Sequence, residues 1–241
     1  MKEYITSDVH LLHNNIIKYA ERTKYFPESD QTSTQMSWDI VNSINEQIPD
    51  EKDVVLWNLG DLFYGKLFGS KTLSELQAFV STMKGKNRQL NIVLGNHDRQ
   101  FNQFRSSKED WAKIYPINKH STLESIFQYL GFDKVYDRPV LYKDKFILSH
   151  EPVFIKPGSN IRNVHGHTHQ YPVDASYFTY DLENYKMVRK AYKDSGRVAP
   201  ALQQKTDWEK FVVDTNYYTN VCWDFTKGKV LSLDEILQEV V

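Results

Sequence analysis

The stretch Leu90-Asn91-Ile92-Val93-Leu94-Gly95-Asn96-His97-Asp98 sets an apolar run of strand length directly before a glycine and a cluster of polar side chains. An apolar run of this length bounded by Gly reads as a buried strand, and Gly95 permits a tight turn beside a crowded centre. The same order recurs along the chain. Tyr4 to Thr6 reads as a short strand followed by Asp8-Val9-His10, and Val54-Val55-Leu56-Trp57 leads into Gly60-Asp61. Phe146-Ile147-Leu148 leads to Ser149-His150, and Asn163-Val164 leads to Gly166-His167-Thr168-His169.

Helical signals lie between these strands. Asn14 to Glu21 reads as a helix, and Met36 to Ile48 carries Ile40, Val41, Ile44 and Ile48 at helical spacing, with Pro49 as a stop. Thr72-Leu73-Ser74-Glu75, Ser121-Thr122-Leu123-Glu124 and Ser232-Leu233-Asp234-Glu235 each fit a capping box that opens a helix. Asn220-Val221-Cys222 and Val230-Leu231 are late apolar runs. Strands alternating with helices predict an α/β layered domain. One domain over 1–241 is expected, with an insertion at about 172–216, where Tyr, Lys, Asp and Val mix without periodicity.

The bulk properties narrow the function classes. The 241 residues are 40% hydrophobic and 25% charged, enough for a full core. A net charge of −1 argues against binding to long nucleic acid through a basic surface. Cys222 is the one cysteine, so neither an internal disulfide nor a thiolate cluster can form. The N-terminus lacks a signal-peptide apolar stretch, and no segment approaches the roughly 20 apolar residues that cross a bilayer. A cytoplasmic protein with no membrane partner is the expectation.

Ligands of open α/β sheets gather beyond the carboxyl ends of the strands, which would bring these motifs to one edge. In extended chain an i, i+2 pair points to one face, so Asp8 with His10, and His167 with His169, can each offer two ligands. Oxygen and imidazole donors without sulfur suit manganese, iron, zinc or nickel. Two divalent ions held by two carboxylates and neutral His and Asn keep a positive charge that attracts phosphate.

Taken together and in this order, Asp8-x-His10, Gly60-Asp61, Gly95-Asn96-His97-Asp98, the lone His150 and Gly166-His167-x-His169 resemble the pattern of the calcineurin-like metallophosphoesterases. The likeness extends to Asn15-Ile16-Ile17 and to the C-terminal Leu233-Asp234-Glu235, as in small bacterial and phage members. It implies a four-layer α/β/β/α sandwich and a dinuclear centre, with manganese the first expectation. It further implies that Asp8, His10 and His169 hold one ion, that Asn96, His150 and His167 hold the other, and that Asp61 bridges. His97 would be unliganded, protonating the leaving oxygen or stabilising transition-state charge. The implied activity is hydrolysis of phosphodiesters or small nucleotides by a metal-activated hydroxide. A phosphomonoesterase on the same core and a non-catalytic metal-binding scaffold are the competing readings.

The protein-phosphatase branch carries Gly-Asp-x-x-Asp-Arg-Gly, whereas this chain reads Gly60-Asp61-Leu62-Phe63-Tyr64-Gly65, without the Asp that orients the catalytic His there. His13 and Arg22 are candidates for substrate contact, with Arg22 ranked above Arg99 and Lys156. His13 is equally readable as a helix-start residue. Gly65 to Thr72 fails the spacing of a phosphate-cradling P-loop.

Overall fold

The computed structural model describes residues 1–24, 32–64, 70–100, 121–155, 158–171, 173 and 215–238. The chain is mixed α/β, with two sheets and helices. Lys2–Thr6 (β1), Val54–Asn58 (β2), Gln89–Val93 (β3) and Lys134–Tyr136 (β4) run parallel. Leu231–Ser232 (β9) adds an antiparallel edge, giving the order β4-β3-β2-β1-β9. Val140–Tyr142 (β5), Phe146–Ser149 (β6), Arg162–His165 (β7) and Tyr218–Asn220 (β8) form the second sheet, in that order. Here β6, β7 and β8 are parallel and β5 is antiparallel to β6.

Alternation along β1 and β2 divides the core. Ile5, Val55, Trp57 and Val93 form one buried cluster with Phe146, Leu148 and Val164 of the second sheet. Val54, Leu56, Leu90 and Ile92 instead join residues of Ser33–Gln47 (α2), Ser70–Lys84 (α3) and Leu123–Leu130 (α5), while the short helix Asn96–Arg99 (α4) follows β3. Helix, sheet and sheet are thus stacked in that order. The fourth layer of the expected sandwich is not among the described elements. The carboxylate of Glu3 on β1 accepts from Tyr142 Oη and Lys143 Nζ beside β5, a polar tie between the sheets.

The helix ends follow local chemistry. Thr32 Oγ1 accepts from Gln35 N at 3.2 Å to cap α2, and Thr122 Oγ1 accepts from Ser125 N at 3.1 Å to cap α5. The cap of α5 is therefore Thr122 rather than Ser121. Ser232 and Glu235 exchange the two bonds of a capping box at Leu233–Gln238 (α6). Helix α3 starts at Ser70, two residues before the cap expected at Thr72. The helix expected over 14–21 contracts to Ile16–Tyr19 (α1). Strands β4 and β5 were not legible as runs, because their residues are only partly buried and the alternation is weak. Positions 172 and 174–214 of the expected insertion, with Lys156 and His120, lie outside the described residues. No described helix is long and apolar enough to cross a membrane.

Beyond the strand ends, two loops are zipped together. Asp8 N donates to Gly60 O at 3.0 Å, His10 N to Asp61 O at 3.1 Å and Leu11 N to Leu62 O at 2.8 Å. Across the sheets, Ser7 makes a parallel bridge with Cys222, and Trp223 N donates to Ser7 O at 2.9 Å. The carboxyl ends of both parallel strand sets therefore meet at one place.

Gly60 is essential to this junction. Its φ is +96°, and an added Cβ would lie 2.5 Å from Gly95 N and 2.7 Å from His150 Nδ1. Gly60→Ala is expected to lower unfolding stability by about 2–4 kcal/mol through left-handed strain and overpacking, measured by urea denaturation in chelator-treated buffer.

Candidate metal centre

The backbone of the site is unusual. Asp8 (φ 56°), His10 (φ 49°), Asp61 (φ 50°), His167 (φ 70°) and His169 (φ 47°) all occupy the left-handed region. The i, i+2 pairs thus share a face for a different reason than expected. They lie in loops past the strand ends, where left-handed residues turn the chain, and not in extended strand. Such residues each cost about 1–3 kcal/mol and persist where surrounding bonds over-determine them.

Asp8, fully buried, divides its carboxylate between two tasks. Oδ2 accepts from Ser7 Oγ at 2.5 Å, His167 N at 2.9 Å and Cys222 Sγ at 3.1 Å. Oδ1 has no hydrogen-bond partner. It lies 3.8 Å from His10 Nε2 and 3.9 Å from His169 Nε2. His10 Nε2 is likewise buried without a hydrogen bond and lies 3.8 Å from Asp61 Oδ2. Gly166 makes room for this arrangement, since a Cβ there would fall 2.4 Å from Asp8 Oδ2.

A second group is tighter. His150 Nδ1 donates to Leu59 O at 2.9 Å, which turns Nε2 inward. That Nε2 is 3.0 Å from Asn96 Oδ1, 3.1 Å from His167 Nδ1 and 3.4 Å from Asp61 Oδ2. His167 Nδ1 is 3.1 Å from Asn96 Oδ1. Asp61 divides its oxygens as Asp8 does. Oδ1 accepts from His97 N at 2.8 Å, while Oδ2 faces both groups.

The donor chemistry fits divalent cations. Asp8, His10 and His169 can share one ion, and Asp61, His150 and His167 another, each set offering atoms within 4.8 Å of one another. Ligands bonded at about 2.1 Å to one ion stand roughly 3.0–3.5 Å apart, close to the spacings of the second group. The orphaned Asp8 Oδ1 and His10 Nε2 are the strongest sign, because buried polar atoms need partners.

The electrostatics agree. Burial pushes His10 well below its ordinary value, with Asp61 opposing and Arg22 assisting, which keeps a donor nitrogen free. His167 is also lowered by burial and by His150. Burial opposes charge on Asp61, but the His150 charge and hydrogen bond outweigh it and hold the carboxyl down. His150 is in turn raised to about 9, burial being outweighed by Asp61 and Asp8. Without a cation, the Asp61 carboxylate thus favours a proton on His150. A divalent ion would displace that proton.

The remaining candidates divide. His97 is about a quarter exposed, with Nε2 3.8 Å from Asp61 Oδ2 and ring contacts to His10, His13 and Tyr64. It also falls within ligand reach of His10 and Asp61. Its Nδ1 has no hydrogen-bond partner, and Asp98 does not orient it. The Asp98 carboxylate accepts instead from Gly95 N, Asp61 N and Leu62 N at 2.8 to 3.1 Å, clamping two loops together. Burial and then Asp61 raise that carboxyl to about 7. His13 stacks on Tyr64 at 4.4 Å and lines the adjoining cleft. His165 is buried against Gly166 O, outside both groups.

Arg22, expected as a substrate contact, is fully buried, and its guanidinium donates to Asp224 and to the carbonyls of Asp8 and Val9. A hydrophilic residue after a short helix carries no sign of burial in sequence. Arg99 is turned to Asp137 O at 2.7 Å. The residue missed in sequence is Asp224, whose Oδ2 accepts from His169 Nδ1 at 2.8 Å. Asn220-Val221-Cys222-Trp223-Asp224 repeats the order of strand then carboxylate, and that order was the available signal.

Helices, two sheets meeting at their strand ends and a cluster of Asp, Asn and His define a metal-dependent phosphoesterase. The chain belongs to the calcineurin-like phosphoesterase family, whose profile matches residues 1–237. No curated protein is similar enough to match. A crystallised protein of unknown function from Aquifex aeolicus is similar over 98% of each chain at 19% identity, with a TM-score of 0.43.

Metal should stabilise the fold measurably. With Mn²⁺ at about 100 times its dissociation constant, stability should rise by about 2.7 kcal/mol per site. The rise in Tm over chelator-treated protein should shrink strongly in Asp61→Asn. An equal rise in both proteins would exclude Asp61 as a ligand.

Proposed function

We propose that this protein hydrolyses phosphodiesters or small nucleotides with two divalent ions, manganese first among the candidates. The single observation that carries the reading is that Asp61 Oδ2 faces both ligand groups, 3.4 Å from His150 Nε2 and 3.8 Å from His10 Nε2. Asp8, His10 and His169 would hold one ion, Asn96, His150 and His167 the other, with Asp61 shared. When bound, the ions supply Lewis acidity at a phosphoryl oxygen and an activated water.

The chain's own residues do the rest. His97 reaches into the cleft, where it would deliver a proton to the leaving oxygen. The adjoining cleft has a volume of about 820 Å³, lined by His97, Tyr19, Tyr64 and Tyr171 among others. That is the size of a small-molecule site. Its described lining contains neither Lys nor Arg. A diester, with one negative charge and a second organic group, suits such a wall better than a dianionic monoester. Tyr19 and Tyr171 are largely exposed and offer flat surfaces on which a nucleobase can stack.

The test is hydrolysis of bis-p-nitrophenyl phosphate against p-nitrophenyl phosphate with added Mn²⁺. The diester should be preferred, Asp61→Asn should be inactive, and His97→Ala should lower kcat by about 10²–10⁴-fold. Preference for the monoester would make the protein a phosphatase. Metal bound without turnover of either would leave a scaffold.

A further inference from the structure

The two ligand groups differ in how their histidines are aimed. His150, in one group, is aimed by the main chain, through Leu59 O. His169, in the other group, is aimed by side chains alone. Its Nδ1 donates to Asp224 Oδ2 at 2.8 Å, which leaves Nε2 facing Asp8 Oδ1.

Asp224 does not stand by itself. Arg22 Nε donates to Asp224 Oδ1 at 2.8 Å and Arg22 Nη2 to Oδ2 at 3.1 Å. The same guanidinium donates through Nη2 to Asp8 O and through Nη1 to Val9 O, both at 2.7 Å. Both side chains are at least nine-tenths buried. One ion pair thus touches two of the three residues of a single ligand group: the ring of His169 and the left-handed backbone of Asp8. A guanidinium is suited to this, since its planar fork can serve a carboxylate and two carbonyls at once.

We propose that Arg22 and Asp224 are positioning residues for the Asp8–His10–His169 ion alone, fixing the His169 tautomer and the Asp8 turn from 202 residues apart in sequence. Carboxylates that hold the far nitrogen of a ligating histidine typically change metal affinity by about 10–100-fold when removed. An amide at 224 would present N–H₂ to either Arg22 or His169, and neither can accept it in the required tautomer. A pair that merely tied the C-terminal segment to the fold would affect both ions alike, or neither.

The inference rests on the two-ion reading, and the experiment separates the two. Full-length protein freed of metal is titrated with Co²⁺, followed by calorimetry and visible absorption. The parent should take two ions; uptake of fewer would sink the two-ion reading itself. Given two, Asp224→Asn should weaken one ion by about 10–100-fold and leave the other within about twofold. His169→Ala should weaken the same ion, and adding Asp224→Asn to it should cause clearly less than the additive loss, the remainder acting through the Asp8 turn. Equal weakening of both ions, no weakening, or full additivity with His169→Ala would overturn the proposal. If Asp224→Asn does not fold, ¹⁵N-imidazole spectra of the metal-free parent decide. His169 should carry its proton on Nδ1, and an Nε2-protonated ring would overturn the proposal.

Discussion

A fully buried carboxylate is the constraint on which the rest depends. Asp8 is out of contact with solvent, and a charge in that position is tolerated only when its surroundings satisfy it. Three donors from three parts of the chain converge on one of its oxygens: the Ser7 hydroxyl, the His167 amide and the Cys222 thiol. Those donors come from the end of β1, the loop after β7 and the segment after β8. Satisfying Asp8 therefore requires both sheets to be in register with each other. The oxygen left over is the one that faces His10 and His169.

The same division of labour is repeated at Asp61 and, in a different form, at Asp98. Asp61 commits one oxygen to the His97 amide and leaves the other between the two ligand groups. Asp98 commits its whole carboxylate to three amides of the loops after β2 and β3. It thereby ties the loop that carries Asp61 to the loop that carries Asn96, and is not among the residues that line the cleft. Left-handed backbone at the ligand positions is the cost of bringing them so close, and it is offset by loop-to-loop bonds such as Asp8 N to Gly60 O. Chemistry and folding use the same hydrogen bonds here.

Packing explains why the centre lies where it does. The apolar cluster between the sheets involves Ile5, Trp57, Val93, Leu148 and Val164. All of these stand within a few residues of a strand's carboxyl end. Close packing there leaves no slack in the strand ends, so the polar loops that follow emerge from a rigid base. Tyr19, Tyr64 and Tyr171 line the cleft beside the centre.

The sequence by itself determined the α/β alternation, most strand positions and the clustering of Asp8, His10, Asp61, Asn96, His150, His167 and His169 after strands. Hydrophobic runs and their polar endings are local, so they survive in one dimension. It did not determine the path of those loops, which place i, i+2 side chains together by left-handed turns and not by strand geometry. Nor did it reveal the roles of Arg22, Asp98 and Asp224. Arg22 reads as a candidate substrate contact, whereas a carboxylate 202 residues away and two nearby carbonyls enclose it. Asp98 is adjacent to His97 in sequence, yet its carboxylate is taken by three backbone amides of the loops after β2 and β3. Which atom a charged side chain faces is decided by contacts distant in sequence, and only the tertiary structure contains them.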